Sequence, residues 1–485
     1  MNLALHLAEL ARNKGWSWRG AYHTGDRTVS YAELYAGSAR CAAGLAARGV
    51  KTGDRVLLAL PDSVGLVQAV LGILQLGAVA IPINTFMHET AIRRAVETAN
   101  PFLTIAEPGT PGLDQVSPVT PAQLHGHEPA TEYATAHADT PAFAFFTSGT
   151  TGSPRLCFHT HGDPAVYDQA IGGVVDLTPD DITLSVSRMY FSYGFGNSIL
   201  LPLLRGGSTV LSRERLTEAA ALELIARYQV SVLYGQPSFY ARLLQHPFAA
   251  GLDGLRLALV AGEPLPVSVE TTLRETLGKR FLNIFGTTEI GHALIANTLS
   301  SQKDGTIGRI LPPYRMRIVD QLRREVAAGV EGKLEVRGPT IAPGVPRGSD
   351  APLRMPDDWY VTGDAATVDH DGFVRLHGRL DDIEIVGGQN VHPAEIEDLL
   401  VRHPAVRAAG VCSVRRESST TSLRAHVELD EGAEPAEVIA EIDSLTKQNL
   451  SWYEIPEDII VVESLPRTPV GKLDRRALRT LAAVR

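Results

Sequence analysis

Hydrophobic and polar positions follow two rhythms along the chain, and the switch between them divides it. Up to about residue 105, YAELYAGSARCAAGLAARG has helical spacing, RVLLAL is an apolar run of strand length, SVGLVQAVLGILQLG is helical again and AVAIPI is a second strand. The same rhythm resumes with the strand AFAFF, then STVLSR, the helix LTEAAALELIARYQ, the strand VSVLYGQP, the helix SFYARLLQ and the strand RLALVAGEPLP. Parallel strands need crossover connections, so this alternation predicts a largely parallel sheet covered by helices. The N-terminal stretch MNLALHLAELARNKGW holds Glu9 and Arg12 inside its apolar pattern and predicts an amphipathic helix rather than a signal peptide. Residues 107–141, rich in Pro, Thr, Gly and His, predict a surface excursion.

Beyond about residue 300, shorter strands separated by turns take over: YRMRIVD, GKLEVRG and GFVRLHG predict a β-rich subdomain. From GRLDDIEIVGGQNVHPAEIEDLLVRHPAV onward, two helical stretches and strands such as LRAHVEL suffice for a compact α+β unit of about 100 residues. The expected fold class is α/β. A large N-terminal domain of layered, largely parallel sheets with a β-rich subdomain spans 1–379, and a small α+β domain spans 380–485.

Four polar clusters fall at apparent element ends. FFTSGTTGSPRLCFHTH (Phe145–His161) places hydroxyls and glycines after an apolar strand. Glycine lets a backbone approach a ligand closely, and successive N–H groups and hydroxyls can donate to phosphate oxygens. Alone, such a cluster reads as a surface turn. NIFGTTEIGHALIAN (Asn283–Asn297) puts Thr288 and Glu289 on a turn, with IGHALIA after it reading as a helix that Glu289 could cap. WYVTGDAATVDHDGFVRLHGRLDD (Trp359–Asp382) sets Asp364 and Arg379 around a hairpin, where Asp364 could merely fix the TGD turn. LPRTPVGKLDRRALR (Leu465–Arg479) holds Lys472 on a turn bounded by Pro and Gly, a position that taken alone reads as a solvated lysine.

Composition narrows the class. The 485 residues exceed one ordinary core, and 44% apolar with 21% charged residues describes a globular chain. A net charge of −10 argues against a nucleic-acid partner while leaving room for a local anion pocket. Cys41, Cys157 and Cys412 have no metal-ligand or CxxC spacing and read as small buried hydrophobes in a reducing compartment. The longest apolar stretch, VLGILQLGAVAIPI, is too short to span a bilayer. The expectation is a soluble, cytoplasmic monomer or homodimer without a membrane partner.

Together the clusters supply parts for a nucleoside triphosphate: a phosphate cradle, a carboxylate for Mg²⁺, a carboxylate for ribose hydroxyls and two cations for developing charge. No G-x-x-x-x-G-K-[ST] occurs, which excludes a Walker-type site. In order and spacing, over essentially the whole chain, the clusters resemble the acyl-adenylating superfamily of acyl-CoA synthetases, peptide-synthetase adenylation domains and luciferases. MYFSYGFGNSILLPLLRGGSTVL, LYGQPSFYARLL, AGEPLP and IPINTFMHETAIRRAV are similar to aryl-CoA ligases of the benzoate type, and GRLDDIEIVGGQNVHPAEIE to chlorobenzoate-CoA ligases.

The resemblance implies a two-step reaction with ATP, Mg²⁺ and CoA. A carboxylate attacks the α-phosphate, releasing pyrophosphate and leaving an acyl-adenylate; a thiol then displaces AMP to give a thioester. It implies that the C-terminal domain is a mobile lid hinged at Asp381. Thr147, Ser148, Thr150 and Thr151 would cradle phosphates, with Gly149 and Gly152 permitting close approach and Arg155 nearby. Thr288 would touch the α-phosphate, Glu289 would hold Mg²⁺, and Asp364 with Arg379 would bind ribose. Gly262, Glu263, Pro264 and Phe285 would line the adenine slot. Lys472 would bridge carboxylate and α-phosphate in the first step only. Ser192, Tyr193, Gly194, Gly286 and His292 would enclose the acyl group, with a purely structural His292 as the bland alternative, and Gly387 and Gly388 would line a CoA channel.

The aromatic bulk of Tyr190, Phe191, Tyr193 and Phe195 favours a planar aromatic acid. Two departures stand out: Arg155 replaces a usual lysine, and Ile385 replaces another after the hinge. The rivals are an adenylation enzyme that loads a carrier protein, a relative that activates nitrite to diazotise an aryl amine, and a non-catalytic binding protein. Retention of Thr288, Glu289, Asp364, Arg379 and Lys472 argues against the last.

Overall fold

The computed structural model describes residues 2–148, 154–245, 249–262, 265–342, 344, 355, 358–380, 382, 384–386, 389–415, 421–467 and 473–483. In the strand Arg55–Ala59, Val56 and Leu58 enter one apolar cluster while Leu57 and Ala59 enter another, so both faces are covered. That is the burial expected of a central parallel strand. It belongs to a five-stranded sheet ordered Leu103–Ala106, Arg55–Ala59, Val79–Pro82, Pro141–Ser148 and Pro154–Thr160, parallel except for the last pair.

A nine-stranded sheet has six parallel strands at its centre: Phe281–Gly286, Leu257–Val260, Val232–Gly235, Ile182–Ser185, Ser208–Val210 and Gly20–Thr24. Antiparallel strands extend it at both edges, Ala293–Ala296 and Arg309–Ile310 at one and Arg27–Ser30 at the other. Helices start where the sequence provides caps. Ser30 and Glu33 form a reciprocal capping box for Tyr31–Ala46, and the Ser63 hydroxyl accepts from Leu66 N–H to open Val64–Gln75. These two helices approach so closely that a Cβ on Gly72 would lie 2.9 Å from the Ser38 carbonyl oxygen. One core cluster includes Val56 and Phe143 of the smaller sheet and Tyr22 of the larger, so the layers share a core.

The β-rich part is an antiparallel sheet of Arg315–Val319, Gly332–Arg337, Tyr360–Val368 and Val374–Arg379. The C-terminal region packs a three-stranded sheet, Val406–Arg415, Thr421–Leu429 and Asp458–Val461, on its own core around Val411, Leu423 and Ile442. It meets the rest of the chain through His392 Nε2 with Glu331 (3.1 Å), His377 Nδ1 with Glu395 (3.2 Å) and the Val267 N–H donating to Asp398 (2.9 Å).

The α/β class and the element order agree with the sequence reading. The strand AFAFF continues to Ser148, as the sequence reading placed a strand end there, and pairs antiparallel with Pro154–Thr160. Two details differ. IGHALIA is not a helix: Ala293–Ala296 pairs antiparallel with Phe281–Gly286, because its apolar residues fill both faces of a buried edge. The C-terminal unit has three helices, Pro393–Leu400, Pro435–Asn449 and Arg475–Ala483. The last buries only Leu478 and Ala482 among arginines, too weak an apolar stripe to read from sequence.

Candidate active site

Thr147, Gly262, Thr288 and Glu289 lie at or just past the carboxyl ends of parallel strands, where open α/β sheets bind ligands. Thr147 lies near the end of Pro141–Ser148, Gly262 follows Leu257–Val260, and Thr288 and Glu289 follow Phe281–Gly286. Arg155 stands opposite Thr147 in the hairpin register. The Thr147 hydroxyl donates to Glu289 Oε1 at 3.1 Å, joining the two sheets at this point. Burial first, then the nearby Glu289 carboxylate, drives the Tyr360 hydroxyl well above an ordinary phenol pKa. Cys157 is also pushed up, by burial and then by Glu289, and stays a buried thiol.

The turn that carries Thr288 and Glu289 has each of its carbonyls engaged. Thr287 O accepts from the N–H groups of Ile290 (3.1 Å) and Gly291 (3.0 Å), and Glu289 O accepts from Ala342 N–H (2.7 Å). Thr288 O accepts from His159 Nε2 at 2.9 Å, and Ile290 O from the Thr340 hydroxyl at 2.8 Å. Such a turn holds its side chains at fixed positions.

On the neighbouring antiparallel sheet Asp364 and Arg379 are direct cross-strand partners, with Arg379 Nη1 3.6 Å from Asp364 Oδ2 and 2.7 Å from Thr362 O. Gly363 has φ +82°, and a Cβ there would lie 2.5 Å from the Arg379 guanidinium, so glycine lets that side chain cross the strand. Asp364 is buried and Arg379 half exposed. Gly262, at φ +93°, makes the bend after its strand, and Phe285 is partly buried on Phe281–Gly286.

The acyl-wall residues also meet. His292 is 3% exposed, and its Nδ1 accepts from Ala293 N–H at 2.8 Å. Burial lowers its pKa to about 4, so the imidazole is neutral. The Tyr193 ring stands edge-on to His292 at 5.9 Å and to Tyr234 at 6.2 Å. Glycines allow this packing. A Cβ on Gly196 would lie 2.1 Å from the His292 ring, one on Gly194 2.1 Å from Arg188 O, and one on Gly286 2.2 Å from His292 O. Ser192 opens the short helix that holds Tyr193. The aromatic-bulk reading needs correction: Phe195 packs on Phe143 (5.0 Å) and Phe145 (5.2 Å) in the core, and Tyr190 pairs with Phe191. Tyr193 alone of the four contacts His292 among the described ring contacts.

Gly149, Thr150, Thr151, Gly152, Glu263, Pro264, Asp381, Gly387, Gly388 and Lys472 lie outside the described residues, as do the side chains of Ser148 and Ile385.

A family model for AMP-binding enzymes matches residues 11–345, and one for the AMP-binding enzyme C-terminal domain matches residues 395–472. The chain belongs to the AMP-binding enzyme family. It is 38% identical over 99% of its length to the p-hydroxybenzoic acid–AMP ligase FadD22 of Mycobacterium tuberculosis, covering 68% of that protein. It is 30% identical to the 4-hydroxybenzoate–CoA/benzoate–CoA ligase of Rhodopseudomonas palustris, covering 99% of this chain and 94% of that one. The crystal structure of the anthranilate CoA ligase AuaEII in complex with anthranoyl-AMP superposes with a TM-score of 0.89 at 26% identity, over 99% of this chain and 97% of that one.

In this AMP-binding enzyme, reasoning from sequence alone passed over four polar residues at the site. Tyr360 faces Glu289 from inside the WYVTGD motif, and His159 sits within HTH beside the glycine-rich segment, so both had a motif to point to them. Asn197 and Tyr234 had none, since each lies in an apolar run that reads as core. Among the described residues no helix is long and apolar enough to cross a membrane.

Proposed function

We propose that this AMP-binding enzyme uses ATP to activate an aromatic carboxylic acid as its acyl-adenylate and then passes the acyl group to the thiol of CoA. One observation carries the reading: a buried aromatic wall, Tyr193 with His292, lies three residues along the chain from the braced Thr288–Glu289 turn. An acid seated on that wall has its carboxylate directed toward the groups assigned to the α-phosphate. Tyr193 and His292 hold the ring, Thr288 orients the α-phosphate, Asp364 and Arg379 take the ribose side, and Lys472 meets the charge that develops as the carboxylate oxygen bonds to phosphorus. Residues 380–485 act as the lid, turning about Asp381 so that Lys472 leaves before the thiol attacks.

Glu289 suits a hard cation. It is a carboxylate already held by a hydroxyl, and Mg²⁺ commonly takes one or two carboxylates and completes its shell with substrate phosphates and water. When bound, the ion neutralises phosphate charge.

The wall also suggests the kind of ring. Among the described residues, Tyr234 Oη and His292 Nε2 are buried without hydrogen-bond partners, and the Tyr193 hydroxyl faces the Asn197 amide without a well-formed bond. Polar atoms left in this way favour a ring bearing a hydroxyl or amino group. A second reading concerns the acceptor. FadD22 is named an AMP ligase rather than a CoA ligase, so delivery of the adenylate to a thiol other than CoA, such as that of a carrier protein, stands beside delivery to CoA. The test is pyrophosphate release over a panel of benzoates, hydroxy- and aminobenzoates, cinnamates, octanoate and nitrite, with and without CoA. Hydroxy- or aminobenzoates should lead. Octanoate or nitrite leading would overturn the aryl assignment, and CoA-independent release without thioester product would favour the carrier.

A further inference from the structure

We propose that His159 is a positioning residue for adenylate formation, acting through the Thr288 carbonyl; this rests on the roles assigned above to Thr288 and Glu289. His159 is fully buried on Pro154–Thr160, stacked on Phe143 at 5.6 Å and near Phe145. Its Nε2 lies 2.9 Å from Thr288 O, which can only accept, so Nε2 carries the proton. Nδ1 lies 3.0 Å from the Tyr167 hydroxyl, which donates to it in this tautomer; Asp163 Oδ2, 3.2 Å away, is an acceptor and does not bond an unprotonated Nδ1. Asp163 is fixed in turn by the Thr160 N–H (3.1 Å) and hydroxyl (2.8 Å). The ring is therefore held on both nitrogens, and its orientation follows from the strand that also carries Arg155.

Of the four backbone carbonyls of the 287–290 turn, His159 holds the one reached from the five-stranded sheet, which also supplies the Thr147 hydroxyl on the Glu289 side chain; the other carbonyls are held by the turn itself, Thr340 and Ala342. The turn also packs tightly on this group. Gly291 has φ +92°, and a Cβ there would lie 1.9 Å from Tyr167 Oη and 2.9 Å from His159 Cε1. A hydroxyl and a carboxylate that must meet phosphate oxygens and a metal ion need placement within a fraction of an ångström. His159 thus sets where Thr288 and Glu289 point, without touching substrate itself.

The experiment compares His159→Leu, which removes the donor, with His159→Gln, whose amide N–H can reach the Nε2 position. Pyrophosphate exchange, the KM values for acid and MgATP, Mg²⁺ dependence and melting temperature are measured for each. In His159→Leu the expected result is an adenylation kcat lower by roughly 10- to 100-fold, the cost typical of losing a partner that orients a ligating group. The Mg²⁺ requirement should rise and the KM for the acid stay within about twofold. His159→Gln should regain most of the loss. A folded Leu variant with wild-type kcat, or a Gln variant no better than Leu, overturns the proposal. If Leu fails to fold, Tyr167→Phe serves in its place. It releases Nδ1 and should lower kcat in the same direction, and an unchanged kcat overturns the proposal. A wild type that exchanges pyrophosphate with no acid sinks the function instead. MgATP binding by calorimetry then decides, with equal affinity in the Leu and Gln variants counting against His159.

Discussion

His292 of the acyl wall follows Glu289 by three residues, and the wall and the Thr288–Glu289 turn are built on opposite terms. On the turn, every backbone carbonyl from Thr287 to Ile290 has a partner, and the Glu289 carboxylate accepts from Thr147. On the wall, Tyr234 Oη and His292 Nε2 are buried with none among the described residues. An unsatisfied buried polar group costs about 1–3 kcal/mol, so a chain that satisfies one region fully and leaves its neighbour open has separated two tasks. On the proposed reading, the turn fixes geometry for a reaction common to many acids, and the wall leaves its hydrogen-bonding capacity for the particular acid, which is where selectivity between similar rings would arise.

The largest expected effect lies on the reaction side. Lys472→Ala should lower adenylate formation by ~10²–10³, the typical loss when a contact to developing charge is removed. Thioester formation from supplied acyl-adenylate should survive, and so should the ranking of acids. If the ranking changed along with the rate, the division of labour would be wrong. Equal losses in both half-reactions would remove Lys472 from the first step.

Next is Glu289→Gln, which keeps the shape and an acceptor oxygen for Thr147 but removes the charge. Adenylation should fall by about 10-fold or more, with a raised Mg²⁺ requirement and unchanged acid preference. Titrating Mg²⁺ against pyrophosphate exchange measures this. An unaltered Mg²⁺ curve would take the ion away from Glu289.

How much of this was legible in the sequence follows the same division. The parallel strands were readable because both faces are buried, which leaves continuous apolar runs such as RVLLAL and VSVLYGQP. Thr288 and Glu289 were readable because polar residues just past a strand end interrupt such a run, and Asp364 and Arg379 because charged residues stand out in the short strands VTGDAATV and VRLHGR. Ala293–Ala296 was misread because a four-residue apolar run carries no period long enough to separate helix from strand. Asn197 and Tyr234 were passed over for a related reason. Each stands inside an apolar element, and its significance lies in a polar atom left without a partner among the described residues. Unmet hydrogen bonds of that kind have no local signature.

On the selectivity side, His292→Ala should shift the preference between hydroxylated and unsubstituted benzoates by roughly 10-fold, within the ~1–3 kcal/mol typical of one pocket contact. Rates with the best substrate should fall less. Comparing kcat/KM across the acid panel for both proteins measures it. The same ranking in the mutant would make His292 a structural residue, and the wall's open polar atoms would then need another account.

The smallest effect is a pH dependence that the wall should show. Burial lowers the His292 pKa to about 4, whereas the unfolded chain titrates near ~6.5. Below about pH 6.5 the unfolded state binds a proton that the folded site refuses until pH 4, so stability tied to the neutral imidazole is full above that range and lost as pH falls through it. Buried His161, also lowered to about 4, adds in the same direction. Asp62, raised by burial to about 6, acts oppositely, because its folded form holds a proton that the unfolded chain releases. Comparing wild type with His292→Gln cancels these shared terms. Their difference in stability should be flat above pH 7 and move against the wild type by on the order of 1–3 kcal/mol between pH 6.5 and 4. Discrimination between hydroxylated and plain benzoates should meanwhile stay constant from pH 6 to 8, since the imidazole keeps one charge state there. Discrimination that titrated with a midpoint near 6.5 would place His292 in contact with solvent and erase the contrast between the dry wall and the braced turn.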